Sequence, residues 1–505
     1  MTFSATPAAG PVLTARRRWA ALAVLAAAVL LLAIDGTVLS LAVPALTASL
    51  APSAEEVLWI GDIYSLTLAG LLVLMGNLAD RFGRKRILLI GSVAFGAASL
   101  LAAFAPSAQA LIGARLLLGV AGATLMPSTL SLIRNIFPDS GERTRAIAIW
   151  STAFGAGSAI GPLVGGFLLE HFWWGSVFLI NVPVMILVVV SGLFLLPESR
   201  DPQPGRFDVA SAVLSMAAIV PLVYAIKHVV GAGVDGVTVS CVLAGLVAGV
   251  LFVRRQRTLE QPMLDVELFR NAAFSGAVVA NVISIFALVG LLFFFSQYLQ
   301  FGRGLRPLQA GLAELPATLA SIVVIAIIAQ VVARLGRGRA IALGLGLAAA
   351  GLAAVAAAAH GPYLWLGLAL VPIGLGIGLA MALTGDAILS AAPPRKAGSV
   401  SAITETANEL GVVLGIAVLG SLLSLVYRSN VSVPAGLPPE DAARVRDSLG
   451  SALQVLQPQA AAGARDAFIT GMQVTSLVAA ALTLAAALLA WALIPSPRTP
   501  RPSVP

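Results

Sequence analysis

Residues 81–91 read "RFGRKRILLIG" and residues 334–344 read "RLGRGRAIALG". Arg81, Gly83, Arg84, Arg86 and Gly91 return as Arg334, Gly336, Arg337, Arg339 and Gly344, all displaced by 253 positions. Each copy is a short basic break that follows the second long apolar segment of its half of the chain. Short basic loops are rich in Arg and Gly anyway, so coincidence is the rival explanation. The matching place in both halves favours an internal duplication. Parallel repeats about an axis along the membrane normal are a transporter plan, with substrate bound between the halves.

The segments around these loops are long enough to cross a bilayer, which takes roughly 20 apolar residues. Fourteen candidates fall at 19–42, 57–78, 86–105, 108–131, 145–169, 175–196, 208–227, 234–253, 272–297, 308–333, 340–359, 363–391, 400–427 and 470–494. The chain is 59% hydrophobic and 11% charged, with mean hydropathy +0.96. Soluble domains carry about 25% charge. A polytopic all-α membrane protein follows; a β-barrel would show short alternating segments instead. "ARRRW" before the first segment mimics a signal peptide, but that segment carries Asp35 and runs to Pro44, which suits an uncleaved helix. Cys241 is the single cysteine, so no intrachain disulfide forms.

The net charge of +8 is topological rather than a nucleic-acid footprint. With the N-terminus inside, the even-numbered loops and both tails hold 23 Lys and Arg. The odd-numbered loops hold 7, of which 4 lie in the long loop 428–469, and Arg115 lies within a helix. That asymmetry is the positive-inside rule, and it places both termini in the cytoplasm. A multi-pass protein of the cytoplasmic (inner) membrane is expected. The expected organisation is a tail at 1–18, a six-helix bundle at 19–196, two inserted helices at 208–253, a second six-helix bundle at 272–494 and a tail at 495–505. The polar, Pro-rich stretch 196–208 reads as a cytoplasmic linker. Loop 428–469 contains a moderately amphipathic segment, either a lid on the outside or a surface helix with no role.

Several longer motifs carry a family resemblance. "GNLADRFGRKR" (76–86) resembles the loop signature of the major facilitator superfamily, "GARLLLGVAGA" (113–123) its fourth-helix motif with a membrane Arg, and "GAGSAIGPLVGG" (155–166) the fifth-helix motif of its exporters. "IDGTVLSLAVPAL" (34–46) and "LWIGDIYSL" (58–66) narrow the resemblance to the fourteen-helix drug:proton antiporters, over residues 17–494. It implies proton-driven export of lipophilic cations: quaternary ammonium compounds, dyes such as ethidium, possible fluoroquinolones. The sequence departs from the loop signature at Asn77, and the second copy has no acid matching Asp80. An exporter of an endogenous metabolite, lipid or antibiotic on the same fold is the alternative, and a membrane sensor a third class.

A charge at the bilayer centre costs about 2.5–3.5 kcal/mol on insertion scales, so each one invites a functional reading. Asp35, beyond the middle of helix 1, is a candidate for proton or cation handling, or else a structural partner of Arg115. Asp62 is a second candidate, or an interfacial residue beside Trp59 and Tyr64. Glu405 and Glu409 lie four apart, on one helix face. Crowded acids in a poorly hydrated place tend to share a proton and to exchange it for a cation. Arg115 is a permanent charge, coupling partner or clamp. Glu314 and Asp386 are possible additional acids. Asp80, Arg81, Gly83 and Arg84 form either a latch for the outward-open state or a topological anchor. Gly155, Gly161, Gly165 and Gly166 remove bulk so that helices approach closely, and Pro162 permits a bend. Trp59 and Tyr64 are candidates for lining a cation site.

The chain contains no G-x-x-x-x-G-K-[ST] phosphate loop, no Cys/His metal cluster and no Ser/His/Asp arrangement. A non-enzymatic transporter is expected, without cofactor or metal, driven by the proton gradient. Its partners would be lipophilic cations, protons and the bilayer, with neither nucleotide nor nucleic acid, and the chain is expected to act as a monomer.

Overall fold

The computed structural model describes residues 14–200, 208–260, 262–390 and 397–496. Most of the expected N-terminal tail, the C-terminal tail beyond Ser496 and the centre of the linker lie outside the described residues.

Fourteen apolar helices are long enough to cross a membrane. They are α1 Ala15–Leu50, α2 Ala54–Phe82, α3 Arg84–Ala103, α4 Ala108–Ile136, α5 Ser140–His171, α6 Ser176–Leu195, α7 Val209–Val229, α8 Gly236–Thr258 and α9 Ala272–Gly302. There follow α10, whose parts Pro307–Ala313 and Leu315–Leu335 meet at Glu314, then α11 Arg337–Ala358, α12 Tyr363–Ser390, α13 Ile403–Asn430 and α14 Ala462–Leu493. No strand occurs among the described residues. An even number of crossings returns both ends of the chain to one face, called here the terminal face. The opposite one is the far face.

Local chemistry sets many of the helix starts. Ser53 and Glu56 form a reciprocal capping box at α2, while Ser107, Asp139, Asp235 and Asn271 each accept a backbone N–H at the start of α4, α5, α8 and α9. These side chains satisfy amides that the first helical turn leaves unpaired.

α1–α6 pack as one bundle and α9–α14 as a second, each around its own core. The duplicated loops occupy matching places. Gly83 and Gly336 both have positive φ, 116° and 77°, a region that side chains resist. Each is pressed against the residue that caps the next helix. Glu198, after α6, accepts the N–H groups of Lys85 and Arg86. Ser496, after α14, accepts that of Arg339. A Cβ at Gly83 would lie 2.7 Å from Glu198 Oε1, and one at Gly336 would lie 2.9 Å from Ser496 Cβ.

The bundles close on each other at the far face. Pro307–Ala313 packs along the end of α5, where a Cβ at Gly311 would lie 2.5 Å from Pro162 O and one at Gly166 would lie 2.9 Å from Leu308 Cα. Arg306 pairs with Glu170 at 2.8 Å, and Gln300 donates to Leu41 O at 3.1 Å. Close packing between α5 and α10 is confined to this end. Two short helices of the 428–469 loop, Pro439–Asp447 and Leu449–Val455, complete the closure. Asp447 accepts from Ala54 N at 2.8 Å, and Gln454 donates to Thr47 O. The cleft between the bundles therefore opens toward the terminal face.

α7 and α8 form a hairpin beside the bundles. α7 lies over the crevice between α2 and α13: Val223 joins Ile63, Leu66, Val413 and Ala417 in one apolar cluster, and Ser421 donates to Ile226 O at 3.3 Å.

Candidate functional site

Asp35 is sealed inside the first bundle, 1% exposed. Its Oδ2 lies 3.4 Å from Arg115 Nη1. Its Oδ1 accepts from Asn181 Nδ2 at 2.7 Å, and Asn181 also donates to Ser99. Arg115 donates from Nε to Ile60 O at 3.1 Å and lies 5.0 Å from the Tyr64 ring centre. The long, unpaired-looking helices α1 and α4 thus exchange one carboxylate and one guanidinium, with α6 supplying the second hydrogen bond. The sequence offers pairing with Arg115 only as the alternative to proton or cation handling by Asp35, and it gives no role to Asn181. Its signal was a lone amide in the apolar run "FLINVPVMILV".

Glu405 and Glu409, in the first two turns of the membrane span α13, keep accessible surface. Asn408 donates to Glu405 at 3.3 Å and accepts from Asn281, which in turn accepts from Thr384 at 3.0 Å. Glu409 lies beside Ser65 of α2, across the interface between bundles. One turn farther along α2 toward the far face is Asp62, fully buried. Lys227 of α7 donates to Asp62 Oδ1 at 2.6 Å, while Oδ2 has no partner. The acids Glu405, Glu409 and Asp62 therefore form a row running from the cleft toward the closed face. Lys227, the last residue of the apolar segment expected at 208–227 and not singled out from sequence, is a buried residue of α7. Little in the sequence signals it, because the apolar run fades at "YAIKHVV" and the packing against α2 is invisible there. The aromatic candidates face the chain's own cations: Trp59 lies under Lys227 at 3.5 Å, and Tyr64 under Arg115.

Other candidates separate. Glu314 is 2% exposed at the break in α10, and its Oε1 has no hydrogen-bond partner. Asp386 is no interior acid: its side chain is 60% exposed at the end of α12 and pairs with Arg337 at 2.8 Å. It supplies to the second loop copy the acid that the copy's own sequence lacks, as Asp80 pairs with Arg84 at 2.8 Å in the first. Arg81 lies over Phe82. Gly155 is exposed with no neighbour at its Cβ position, so it plays no part in close packing. Gly157 takes that role, with Leu30 O only 2.4 Å from a built Cβ, followed by Gly161 against Thr37 and Gly165 against Val38. Spacing of four puts these three glycines on one seam facing α1.

Two six-helix bundles, a hairpin inserted between them and a cleft carrying buried acids define a fold that comparison places. The sequence profile of the Major Facilitator Superfamily matches residues 23–416. The chain belongs to the major facilitator superfamily. Among relatives in this superfamily, the multidrug efflux pump LfrA of Mycolicibacterium smegmatis is 48% identical, covering 94% of this chain and 96% of the relative. The methyl viologen resistance protein SmvA of Salmonella typhimurium is 37% identical, covering 94% and 98%. The tetracenomycin C resistance and export protein of Streptomyces glaucescens is 34% identical, covering 96% and 93%. A crystal structure of a bacterial homologue of the lysosomal transporter Spinster superposes with a TM-score of 0.67 at 17% identity, covering 96% of this chain and 100% of that one. As a member of the major facilitator superfamily, the protein is a multi-pass membrane transporter rather than an enzyme.

Proposed function

We propose that the protein exports lipophilic organic cations from the cytoplasm in exchange for protons, across the cytoplasmic membrane, with both termini on the cytoplasmic side. The observation that carries this reading is the row Glu405, Glu409 and Asp62 in a cleft open to the terminal face. Carboxylates in a poorly hydrated cleft exchange one positive charge for another: a proton or an organic cation. Asp35, held by Arg115 and Asn181 within the first bundle, takes part in this reading as a proton-binding carboxylate beside the row. With the terminal face open, the acids release protons and attract a cation. With the far face open, external protons displace it. The membrane potential supplies about 2.3 kcal/mol per charge per 100 mV, so voltage helps only when more protons enter than drug charges leave.

Relatives named for multidrug efflux and methyl viologen resistance support cationic substrates. The relative named for tetracenomycin C export supports a second reading, export of an antibiotic on the same fold. The deciding measurement is proton release from purified, detergent-solubilised protein on adding ethidium. Release is expected in the parent and reduced in Glu405→Gln/Glu409→Gln. Equal release in both would end the proton-for-cation reading.

A further inference from the structure

Export of cations by the acid row leaves one buried cation unused. Lys227 belongs to the inserted hairpin, outside both repeated bundles, yet its ammonium stands 2.6 Å from Asp62 Oδ1 and 3.5 Å from the centre of the Trp59 ring. Both Lys227 and Asp62 side chains are fully buried. Tyr224, three residues earlier on the same face of α7, lies 6.3 Å from the Trp59 ring centre. A carboxylate on one side and an aromatic face on the other is how proteins hold organic ammonium groups. Seating α7 does not require this pair. Removing two ions from water costs several kcal/mol each, and apolar residues of similar volume hold helices together at least as well. The apolar cluster of Val223 with Ile63, Leu66, Val413 and Ala417 already does so. The pair's place is informative too. A cation entering from the terminal face meets Glu405, then Glu409, then Asp62, where an ammonium already stands.

We propose that Asp62, Trp59 and Tyr224 form a cation subsite at the closed end of the cleft, that it accepts the alkylammonium or similar organic-cation head of a substrate, and that Lys227 is its tethered occupant, displaced when substrate arrives. The identity of that substrate rests on the export reading; the subsite itself is tested without transport. Lys227→Ala vacates a space shaped for an alkylammonium. In thermal unfolding of the purified variant, n-butylammonium is expected to restore stability saturably, whereas neutral n-butanol does not, and the parent responds to neither. Trp59→Leu in the Lys227→Ala background should weaken the butylammonium response by roughly 2- to 30-fold, the range of a cation–aromatic contact. Lys227→Gln, close in length and uncharged, keeps the test available should the alanine variant not fold. It should bind ethidium roughly tenfold more tightly than the parent if Lys227 fills the subsite nine-tenths of the time. A butylammonium response that is absent, or that persists unchanged when Asp62→Asn is added, overturns the subsite. A butylammonium response with ethidium affinity unchanged in Lys227→Gln overturns displacement by substrate. Neither outcome touches proton release, so failure here and failure of the export reading are told apart.

Discussion

Replacing Gly311 with alanine should push the transporter out of the state seen here. Gly311 lies on the first part of α10 and faces Pro162 of α5 across the two bundles. A Cβ there would sit 2.5 Å from Pro162 O and 3.1 Å from Pro162 C, where ordinary contact begins at 3.4 Å. Both obstacles are backbone atoms, and Pro162 sits in a fixed turn of α5, so neither can swing aside. Overpacking of this kind costs roughly 1–3 kcal/mol. The contact exists only while the far face is closed, so the cost falls on that state alone. At about 2 kcal/mol the ratio of far-face-closed to far-face-open protein falls about 30-fold. Spin labels on Cys241-free protein, at Phe172 on the α5–α6 turn and Pro362 on the α11–α12 turn, report the far-face opening by double electron–electron resonance. The expected result is a longer distance population in Gly311→Ala, with Gly346→Ala, whose Cβ meets nothing within 4 Å, matching the parent. An unchanged distribution in a folded Gly311→Ala protein would refute the argument that this seam closes the far face.

Three further outcomes are expected. Asp35→Asn leaves the buried Arg115 without its anion, so it should lower stability by about 3–5 kcal/mol in thermal unfolding, and Arg115→Met added to it should recover part of the loss; parent-like stability in the single variant would contradict the buried pair. Gly157→Ala should abolish ethidium efflux or expression because its Cβ meets the Leu30 carbonyl, whereas Gly155→Ala should behave as the parent; equal effects in an efflux assay would remove the α1–α5 seam from the account. At the α7–α8 turn, hydrogen bonds from Thr238 N–H and His228 hold Asp235 below the usual carboxylate range, at about 2. A lowered value means that its stabilisation is present above about pH 4 and is lost as pH falls from there to 2. Amide exchange in the first turn of α8 should quicken across that window in the parent and show no such step in Asp235→Asn.

The fourteen helices and the doubled plan were legible because apolar length and the repeated basic loop are properties of the chain taken one stretch at a time. Asp35 with Arg115 was legible as well, since opposite charges with nowhere else to go pair within the membrane. What the sequence hid was reach across the fold. Lys227 sits at the end of an apolar run, and only the packing of α7 on α2 buries it. Asp386, near the end of its helix, could be read from sequence as a functional acid or as a surface residue, and only the fold places it beside Arg337. Gly155 and Gly157 stand two residues apart, and a string cannot tell which of them faces α1. Glu314 was visible as an acid, but the helix break that isolates it depends on how Pro307–Ala313 leans on the other bundle.

The latch at the far face joins residues remote in time as well as in sequence. Ala54 N, at the start of α2, is held by Asp447, 393 positions later, and Thr47 O by Gln454, 407 positions later. A ribosome adding roughly 5–20 residues per second needs about 20–80 s to cover such a gap. During biogenesis the first bundle therefore enters the bilayer with this end of α1 and α2 unfastened, and the fastening arrives only with the segment before the last helix. A nascent chain halted short of that segment can already bring Arg306 to Glu170 and Gln300 to Leu41, but it leaves Thr47 and Ala54 at the mouth without their fastening.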